Sequence, residues 1–188
     1  MSFGGNQGNQ GAAVKAAKAE MAELKRMASG TPSSESACLK LAQIMHVHRG
    51  EIALLRVEKG SLRFIYPVEL RSAGVLPLSG SAVAARTAAT RTSLLSNSFT
   101  RVRHVSLFET VKLTSDEDQS MEQMPIQKIM SVPIAHAGGG VIGVVQVSRK
   151  GLDASVAGPD FSNDDLKLLE NAAEVLSLMP FMQEGTEM

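Results

Sequence analysis

The residue types most often used in catalysis and metal binding are few in this chain and poorly spaced. The chain has one cysteine, Cys38, and four histidines, which are His46, His48, His104 and His136. Cys38 lies in an apolar helical stretch, where a cysteine is most simply a small buried side chain. His46 and His48 are two residues apart, so on a helix they face different directions. Neither the Gly-x-Ser-x-Gly nucleophile motif nor a phosphate-binding loop is present. We expect no catalytic residue, no metal and no cofactor.

The clearest cluster of chemically useful side chains is basic. Residues 81–113 contain five basic residues against one glutamate, and these are Arg86, Arg91, Arg101, Arg103 and Lys112. Arg103 with His104 can bind a carboxylate or phosphate group. The alternative is a solvated face that balances the acidic segment at residues 116–122, because arginine on a helix is mostly exposed. The sequence leaves both interpretations open.

The strands that would position these residues are organised around a hairpin at residues 126–151. Two runs rich in valine and isoleucine flank Gly138–Gly140, and glycines of this kind favour a tight turn. The second run is apolar on both faces, which predicts a central strand. Gly143 permits another element to approach closely, whereas Pro133 needs a bulge or an unpaired position.

Alternation of apolar and polar residues predicts five strands in all, at residues 51–58, 61–68, 92–96, 128–136 and 140–149. On the second strand, the alternation places Leu62, Phe64, Tyr66 and Val68 on one face. Residues 71–78 are expected to form a loop.

Helices are expected at residues 12–28, after Thr31-Pro32, at 80–90, at 99–113 and after Ser162. Thr31 is placed to cap the second helix. Ser162 and Asp165 form a capping-box pattern at the last one.

Charge is segregated although Lys+Arg and Asp+Glu both total 19. The first 50 residues hold six basic residues against three acidic ones, whereas residues 152–188 hold one against eight. The helix at residues 12–28 is basic and the helix after Ser162 is acidic, and each carries an apolar stripe, so the two can pack side by side. The stripe at residues 12–28 suits either a partner helix at a dimer interface or packing on its own domain, and the sequence leaves both open. The predicted interface residues are Val14, Met21, Leu24, Leu169, Ala173 and Leu176.

The balanced composition also bounds the partners and the location. A net charge of zero argues against bulk electrostatic binding to nucleic acid or to an acidic membrane. No apolar run is long enough to span a bilayer, and the first residues lack the pattern of a signal peptide. We therefore expect no nucleic-acid or membrane partner and a cytoplasmic location.

Three segments of the chain resemble parts of the GAF domain family. Ser131–Ile134, the glycine turn and Val141–Val147 resemble its late strand pair. Phe161–Leu166 resembles the beginning of its last helix, and Leu78–Ala84 its glycine-initiated helix beneath the ligand pocket. The resemblance covers residues 33–180.

This resemblance implies an α/β fold with a central antiparallel sheet. Numbering the five predicted strands along the chain, the implied order is 2-1-5-4-3. The first and last helices would pack together on one face, and the pocket helices on the other. The expected organisation is a disordered tail at residues 1–11 and an N-terminal helix at 12–30. A domain that includes the C-terminal helix follows at 31–182, with a frayed end at 183–188.

The resemblance also implies a function. We expect a non-catalytic regulatory domain that acts through a helical homodimer interface and binds a small anionic ligand or a separate signalling protein. The candidate pocket residues are Tyr66, Arg86, Phe99, Arg103, His104 and Ser131. One alternative is an interaction scaffold without a ligand. Another is an enzyme of the same fold such as a methionine sulfoxide reductase, but such enzymes use several cysteines and this chain has only Cys38.

Overall fold

The computed structural model describes residues 7–101 and 124–184. In this part of the chain, the strands are β1 Ile52–Glu58, β2 Ser61–Tyr66, β3 Val75–Pro77, β4 Leu94–Ser96, β5 Ile126–Ala135 and β6 Val141–Lys150. The α-helices are α1 Gln7–Ala28, α2 Ser34–Met45, α3 Val83–Thr90, α4 Asn163–Ser177 and α5 Pro180–Gln183. Short 3-10 helices span Arg49–Glu51, Val68–Ser72 and Phe99–Arg101.

All six described strands belong to one antiparallel sheet in the order β3-β2-β1-β6-β5-β4. The mixed α/β class is confirmed, and the five predicted strands occur in the predicted order. The difference is β3, which lies within the expected loop at residues 71–78 and pairs with the first half of β2. This strand has only three residues and ends in Pro77, which an edge strand tolerates because one side of it needs no ladder partner.

The central position of β6 is confirmed. It pairs with β1 on one side and with β5 on the other, and its residues from Ile142 to Ser148 are all buried. Gly143 makes this packing possible, because a Cβ atom there would collide with the Leu55 carbonyl oxygen and the Met182 Cε. The expected close approach at Gly143 therefore occurs from both a strand and α5.

Pro133 lies where its missing N–H is tolerated. It pairs with Val144 of β6, and it lies beyond Ser131, where the pairing of β5 with β4 ends. The register of the β5–β6 hairpin also shifts between Ile134 and Ala135. The expected irregularity near the proline is thus present one residue further along.

The sheet separates two apolar clusters. One lies beneath α1, α2, α4 and α5 and contains Leu24, Leu41 and Leu169 among many others. The other lies beneath α3 and contains Phe64 and Ile129. We refer to these two sides of the sheet as the helical face and the α3 face.

A β-bulge changes the side of the sheet on which Tyr66 lies. Leu54 pairs with Tyr66 and Leu55 pairs with Phe64, so Ile65 is an extra residue on β2. An extra residue shifts the two-residue alternation, and all later side chains change face. Phe64 therefore belongs to the α3 face and Tyr66 to the helical face. The prediction that both share a face is wrong.

The first two helices begin at other residues than the sequence suggested. Helix α1 begins at Gln7, whereas Ala12 was expected. Helix α2 begins at Ser34, and its cap is Ser33, whose hydroxyl accepts a hydrogen bond from Ser36 N at 3.0 Å. The predicted Thr31 cap is wrong, because the extended backbone at Ser33 places its own side chain against the first turn.

The last helices follow the sequence closely. Ser162 and Asp165 form the predicted capping box at α4, with Asp165 N donating to Ser162 Oγ at 3.1 Å. Helix α4 ends at Ser177, and Pro180 is the first residue of α5. None of the described helices is both long and apolar enough to cross a membrane.

Candidate functional site

A polar site on the α3 face lies where α3 packs on β5 and β6. Helix α3 is rich in alanine, and Ala84, Ala85 and Ala88 are buried against the sheet. Because alanine side chains are short, the helix axis can lie close to the strands. This close packing brings the middle of α3 within hydrogen-bond distance of the side chains on β5.

Three buried polar side chains meet beneath α3, and we call them the polar trio. They are Thr87 of α3, Ser131 of β5 and Gln146 of β6, and each is at most 6% exposed. Gln146 Nε2 donates to Ser131 Oγ at 3.1 Å, and Ser131 Oγ lies 2.8 Å from Thr87 Oγ1. Thr87 Oγ1 donates to the Val83 carbonyl oxygen at 2.9 Å, so Ser131 must be the donor to Thr87.

The polar trio is therefore a directed chain of hydrogen bonds from β6 through β5 to α3. Each hydroxyl donates once and accepts once, which satisfies these groups without water. A satisfied buried network fixes the side chains it contains. The trio thus provides a rigid polar floor rather than an open set of donors.

Above this floor lies a cleft of about 300 Å³ between α3 and β4, which we call the α3 cleft. Four of its residues carry hydroxyl groups, and the complete lining is Val83, Arg86, Thr87, Thr90, Thr92, Ser93 and Leu94. Arg86 supplies a positive charge at the exposed side of α3. Ser93 Oγ donates to Glu170 Oε1 at 2.7 Å, which connects the rim of the cleft to α4.

The candidate pocket residues separate into three groups. Arg86 lines the α3 cleft, whereas Ser131 lies behind it and is connected to it by the hydrogen bond to Thr87. Phe99 is buried on the same face and packs in the apolar cluster there. Tyr66 does not belong to this site, because it lies on the helical face and its hydroxyl donates to the Arg49 carbonyl oxygen at 3.2 Å. Arg103 and His104 lie outside the described residues, as does the rest of the helix expected at 99–113 beyond Arg101.

The candidate dimer-interface residues are mostly used within the chain itself. Five are buried beneath the helical layer, namely Met21, Leu24, Leu169, Ala173 and Leu176. Val14 differs, with 69% of its surface exposed. Helix α1 is held on the domain by its C-terminal half, where Lys40 of α2 pairs with Glu20 at 3.0 Å and Glu23 at 2.8 Å.

Cys38 has the environment of a core residue. It is fully buried in α2 on the helical face, and burial raises the pKa of its thiol far above the usual range. A thiol that stays protonated is a poor nucleophile. Across residues 7–101 and 124–184, no group of histidine, cysteine and carboxylate side chains is arranged to hold a metal ion.

Thr87 and Gln146 are the site residues that sequence patterns missed. Each sits in a segment that otherwise reads as apolar, Thr87 within an alanine-rich helix and Gln146 within the valine-rich β6. A polar residue at a buried position needs a hydrogen-bond partner. That interruption of the apolar pattern is the signal that identifies such positions, but it does not identify the partner.

The fold and the site define a sheet-based domain with a helical layer on one face and a ligand-sized cleft on the other. The family model of the GAF domain matches residues 34–179. The chain therefore belongs to the GAF domain family. The comparison with curated protein sequences found no match.

Solved structures show the same fold at low sequence identity. The GAF domain of an Acinetobacter phosphoenolpyruvate-protein phosphotransferase is 12% identical with a TM-score of 0.62, over 90% of this chain and 95% of that one. The GAF domain of a Bacillus halodurans two-component sensor histidine kinase is 18% identical with a TM-score of 0.53, over 81% and 95%.

An enzyme is also among the similar structures. The type II free methionine-R-sulfoxide reductase of Thermoplasma acidophilum is 15% identical with a TM-score of 0.56, over 86% of this chain and 96% of that one. At this identity, the likeness establishes the fold and not the activity.

Proposed function

We propose that this GAF domain is a regulatory module that binds a small anionic ligand in the α3 cleft and performs no catalysis. The observation that carries the proposal is the combination of one arginine and four hydroxyl-bearing residues around a cleft with a rigid polar floor. Guanidinium groups bind carboxylates and phosphates through paired hydrogen bonds. The four hydroxyls each donate within the chain already, so their oxygens serve the ligand as acceptors for its own donor groups.

The size of the cleft supports a small ligand. Its volume of about 300 Å³ lies at the lower end of the range for small-molecule sites, about 300–1,000 Å³. The polar trio also connects the cleft to β5 and to the central strand β6, so a ligand that shifts Thr87 would act on both strands. The hydrogen bond from Ser93 to Glu170 gives a second route, from the rim of the cleft to α4.

The proposed absence of catalysis rests on the number and position of cysteines. A reductase of this fold works through several cysteines, whereas this chain has one, and that one is buried on the opposite side of the sheet from the cleft. The competing hypothesis is a methionine sulfoxide reductase, which the likeness to the Thermoplasma enzyme brings into consideration. Reduction of free methionine sulfoxide by the purified protein, lost in Cys38→Ser, would refute the non-catalytic proposal.

Native mass spectrometry of the purified protein tests ligand binding directly. We expect a small-molecule adduct on each chain, which Arg86→Gln loses because the guanidinium is replaced by a neutral amide. Arg91→Gln is the matched control, because Arg91 is also exposed near the end of α3 but does not line the cleft. A chain without any adduct would favour the interaction scaffold instead.

The proposal includes a homodimer formed through α1. A helix of 22 residues is about 33 Å long, and its residues 11–16 are all exposed. An exposed helical end of this kind is marginally stable in water, so a partner helix would stabilise it. The solvent side of α1 is basic and that of α4 is acidic, which permits two copies to pair by charge.

Sedimentation tests the dimer, and the structure refines the choice of variant. Substitution of Met21 or Leu24 would disrupt the chain's own core, so Val14→Glu is the informative change. We expect the unmodified protein to sediment as a dimer at tens of micromolar and Val14→Glu as a monomer. Val156→Glu is the control, since Val156 is 65% exposed in the loop after β6. A monomeric unmodified protein would contradict the proposal.

Signal output and location complete the proposal. With no catalysis of its own, the domain would act by docking a separate signalling protein through a surface that changes on ligand binding. We propose a cytoplasmic location, which fractionation of cells that express the tagged protein would test.

A further inference from the structure

A second cleft lies outside the α3 cleft, between the β1–β2 hairpin, the beginning of α2 and helix α5. Its volume is about 560 Å³. Three arginines and two glutamates line it, together with three residues that lead into α2 and three apolar side chains: Pro32, Ser33, Ser34, Arg56, Glu58, Arg63, Phe64, Ile65, Arg71, Phe181 and Glu184. We call it the arginine cleft.

Two of the arginines face each other across the hairpin. Arg56 of β1 and Arg63 of β2 are directly paired in the antiparallel register. Like charges in this position destabilise a sheet. Glu58 offsets the repulsion, because its carboxylate accepts from Arg56 Nε at 3.1 Å and from Arg63 Nε at 2.9 Å. These hydrogen bonds hold the pKa of Glu58 below its usual range, Arg56 having the larger effect.

Arg71 adds a third positive charge, and no carboxylate within residues 7–101 and 124–184 forms an ion pair with it. Its Nε donates to the Ile65 carbonyl oxygen at 2.8 Å, and its Nη2 donates to Ser34 Oγ at 2.9 Å. Both acceptors are neutral, so they orient the guanidinium without neutralising its charge. Three guanidinium groups thus meet two carboxylates in one cleft.

The second carboxylate is weakly placed. Glu184 Oε2 is 3.6 Å from Arg56 Nη1, and the Glu184 side chain is 70% exposed. An ion pair of this length and exposure contributes little to stability. Arg56 Nη1 is held instead by the Phe181 carbonyl oxygen at 2.6 Å. An incoming anion could therefore displace the Glu184 carboxylate at small cost.

We propose that the arginine cleft binds the phosphate group of a small phosphorylated molecule. Guanidinium forks match phosphate oxygens in geometry and charge, and a dianion balances the excess positive charge better than a single carboxylate does. The cleft is large enough for a small molecule attached to the phosphate. Ser34 stands at the first turn of α2, whose N-terminal dipole adds to the attraction.

Binding at this position would act on α5. Arg56 connects β1 to α5 through the Phe181 carbonyl oxygen, and Glu184 follows directly after that helix. Displacement of Glu184 by phosphate would release that side chain from Arg56, while the hydrogen bond to the Phe181 carbonyl oxygen still joins α5 to the hairpin. The arginine cleft therefore couples an anion to the C-terminal part of the described chain, independently of the α3 cleft.

Titration of the labelled full chain with inorganic phosphate, followed by amide NMR at constant ionic strength, tests the site. We expect saturable shifts at Ser34, Arg63 and Arg71, and much weaker binding of acetate as a carboxylate probe. Arg71→Gln should weaken phosphate binding about tenfold, the effect of one charge-assisted hydrogen bond. Arg71→Lys keeps the charge but not the forked pair of donors, so its phosphate affinity should lie between those of the unmodified protein and Arg71→Gln.

Two more variants test for an increase in affinity and for no change. Glu184→Gln removes the competing carboxylate, so it should strengthen phosphate binding about threefold. Arg91→Gln removes an arginine outside the cleft and should leave the affinity unchanged. The proposal fails if the shifts do not saturate, if acetate binds as tightly as phosphate, or if a folded Arg71→Gln protein binds phosphate like the unmodified one.

Discussion

The two faces of the sheet are covered in different ways. On the helical face, α1, α2, α4 and α5 seal an apolar cluster in which Leu24 and Leu169 are fully buried. On the α3 face, the described residues include one short helix, a buried polar trio and an open cleft. The first arrangement resists water and fixes the fold, whereas the second gives a ligand access to the central strands. Stability and the ligand binding proposed for the α3 cleft thus belong to opposite sides of one sheet.

The largest effect is expected where the helical face has no spare volume. Gly143→Val should lower the free energy of unfolding by about 4 kcal/mol or leave the protein unfolded, because the added atoms collide with a strand carbonyl and with α5. Thermal and urea denaturation measure the change. Gly138→Val is the control, since its Cβ would lie 3.6 Å from the His136 ring, an ordinary contact. Equal stability of the two variants would show that β6 is not packed as described.

A smaller effect on stability should distinguish the two faces of the sheet when one leucine on each face is changed to alanine. Leu169→Ala empties a fully buried position, and we expect a loss of about 3 kcal/mol. Leu94→Ala, at the half-buried rim of the α3 cleft, should cost about 1 kcal/mol, because part of its surface already meets water. Urea denaturation compares them, and a larger loss at Leu94 would reverse the proposed division between the faces.

The sequence predicts the centre of the fold better than its edges. The run from Val141 to Val147 is apolar on both faces, and that pattern requires a covered central strand whatever the neighbours are. Gly143 interrupts this apolar run with a residue that has no side chain, which indicates a close approach by another element. The short β3 escapes detection, because three residues ending in Pro77 carry no periodicity.

The candidate site is harder to predict, because it depends on which residues meet across the sheet. The bulge at Ile65 moves Tyr66 to the other face, and a two-residue pattern does not reveal an inserted residue. The polar trio joins three elements that are distant in sequence, so Thr87 and Gln146 look like isolated polar residues. The pairing of Arg56 with Arg63 likewise depends on the hairpin register.

The polar floor of the α3 face gives the third prediction. Ser131→Ala removes the acceptor of Gln146 Nε2 and the donor to Thr87, so we expect a loss of about 2 kcal/mol in the free energy of unfolding. The double change Ser131→Ala with Gln146→Leu should recover part of it, because no amide is then left without a partner. Ser98→Ala, at an exposed position, is the control. A double variant less stable than the single one would contradict the described chain of hydrogen bonds.

The smallest effect is a pH dependence that comes from the sealed helical face. Burial raises the pKa of the Cys38 thiol in the folded protein, so the folded state keeps this proton at a pH where the unfolded chain, with a pKa of about 8.5, loses it. Stability is therefore complete below that value and falls as the pH rises. Between pH 7.5 and 9.5, the loss should be about 1.4 kcal/mol.

Urea denaturation at the two pH values measures this loss, and Cys38→Ala provides the comparison because it removes the titrating group from the same buried position. The pKa values of Tyr66 and Lys40 are also raised, Tyr66 by burial and Lys40 by its hydrogen bond to Glu23. Both groups ordinarily titrate at about pH 10 or above, so they contribute little in this window. The difference between the two proteins thus isolates the thiol. An equal pH dependence in both would mean that water reaches Cys38 and that the helical face is not sealed.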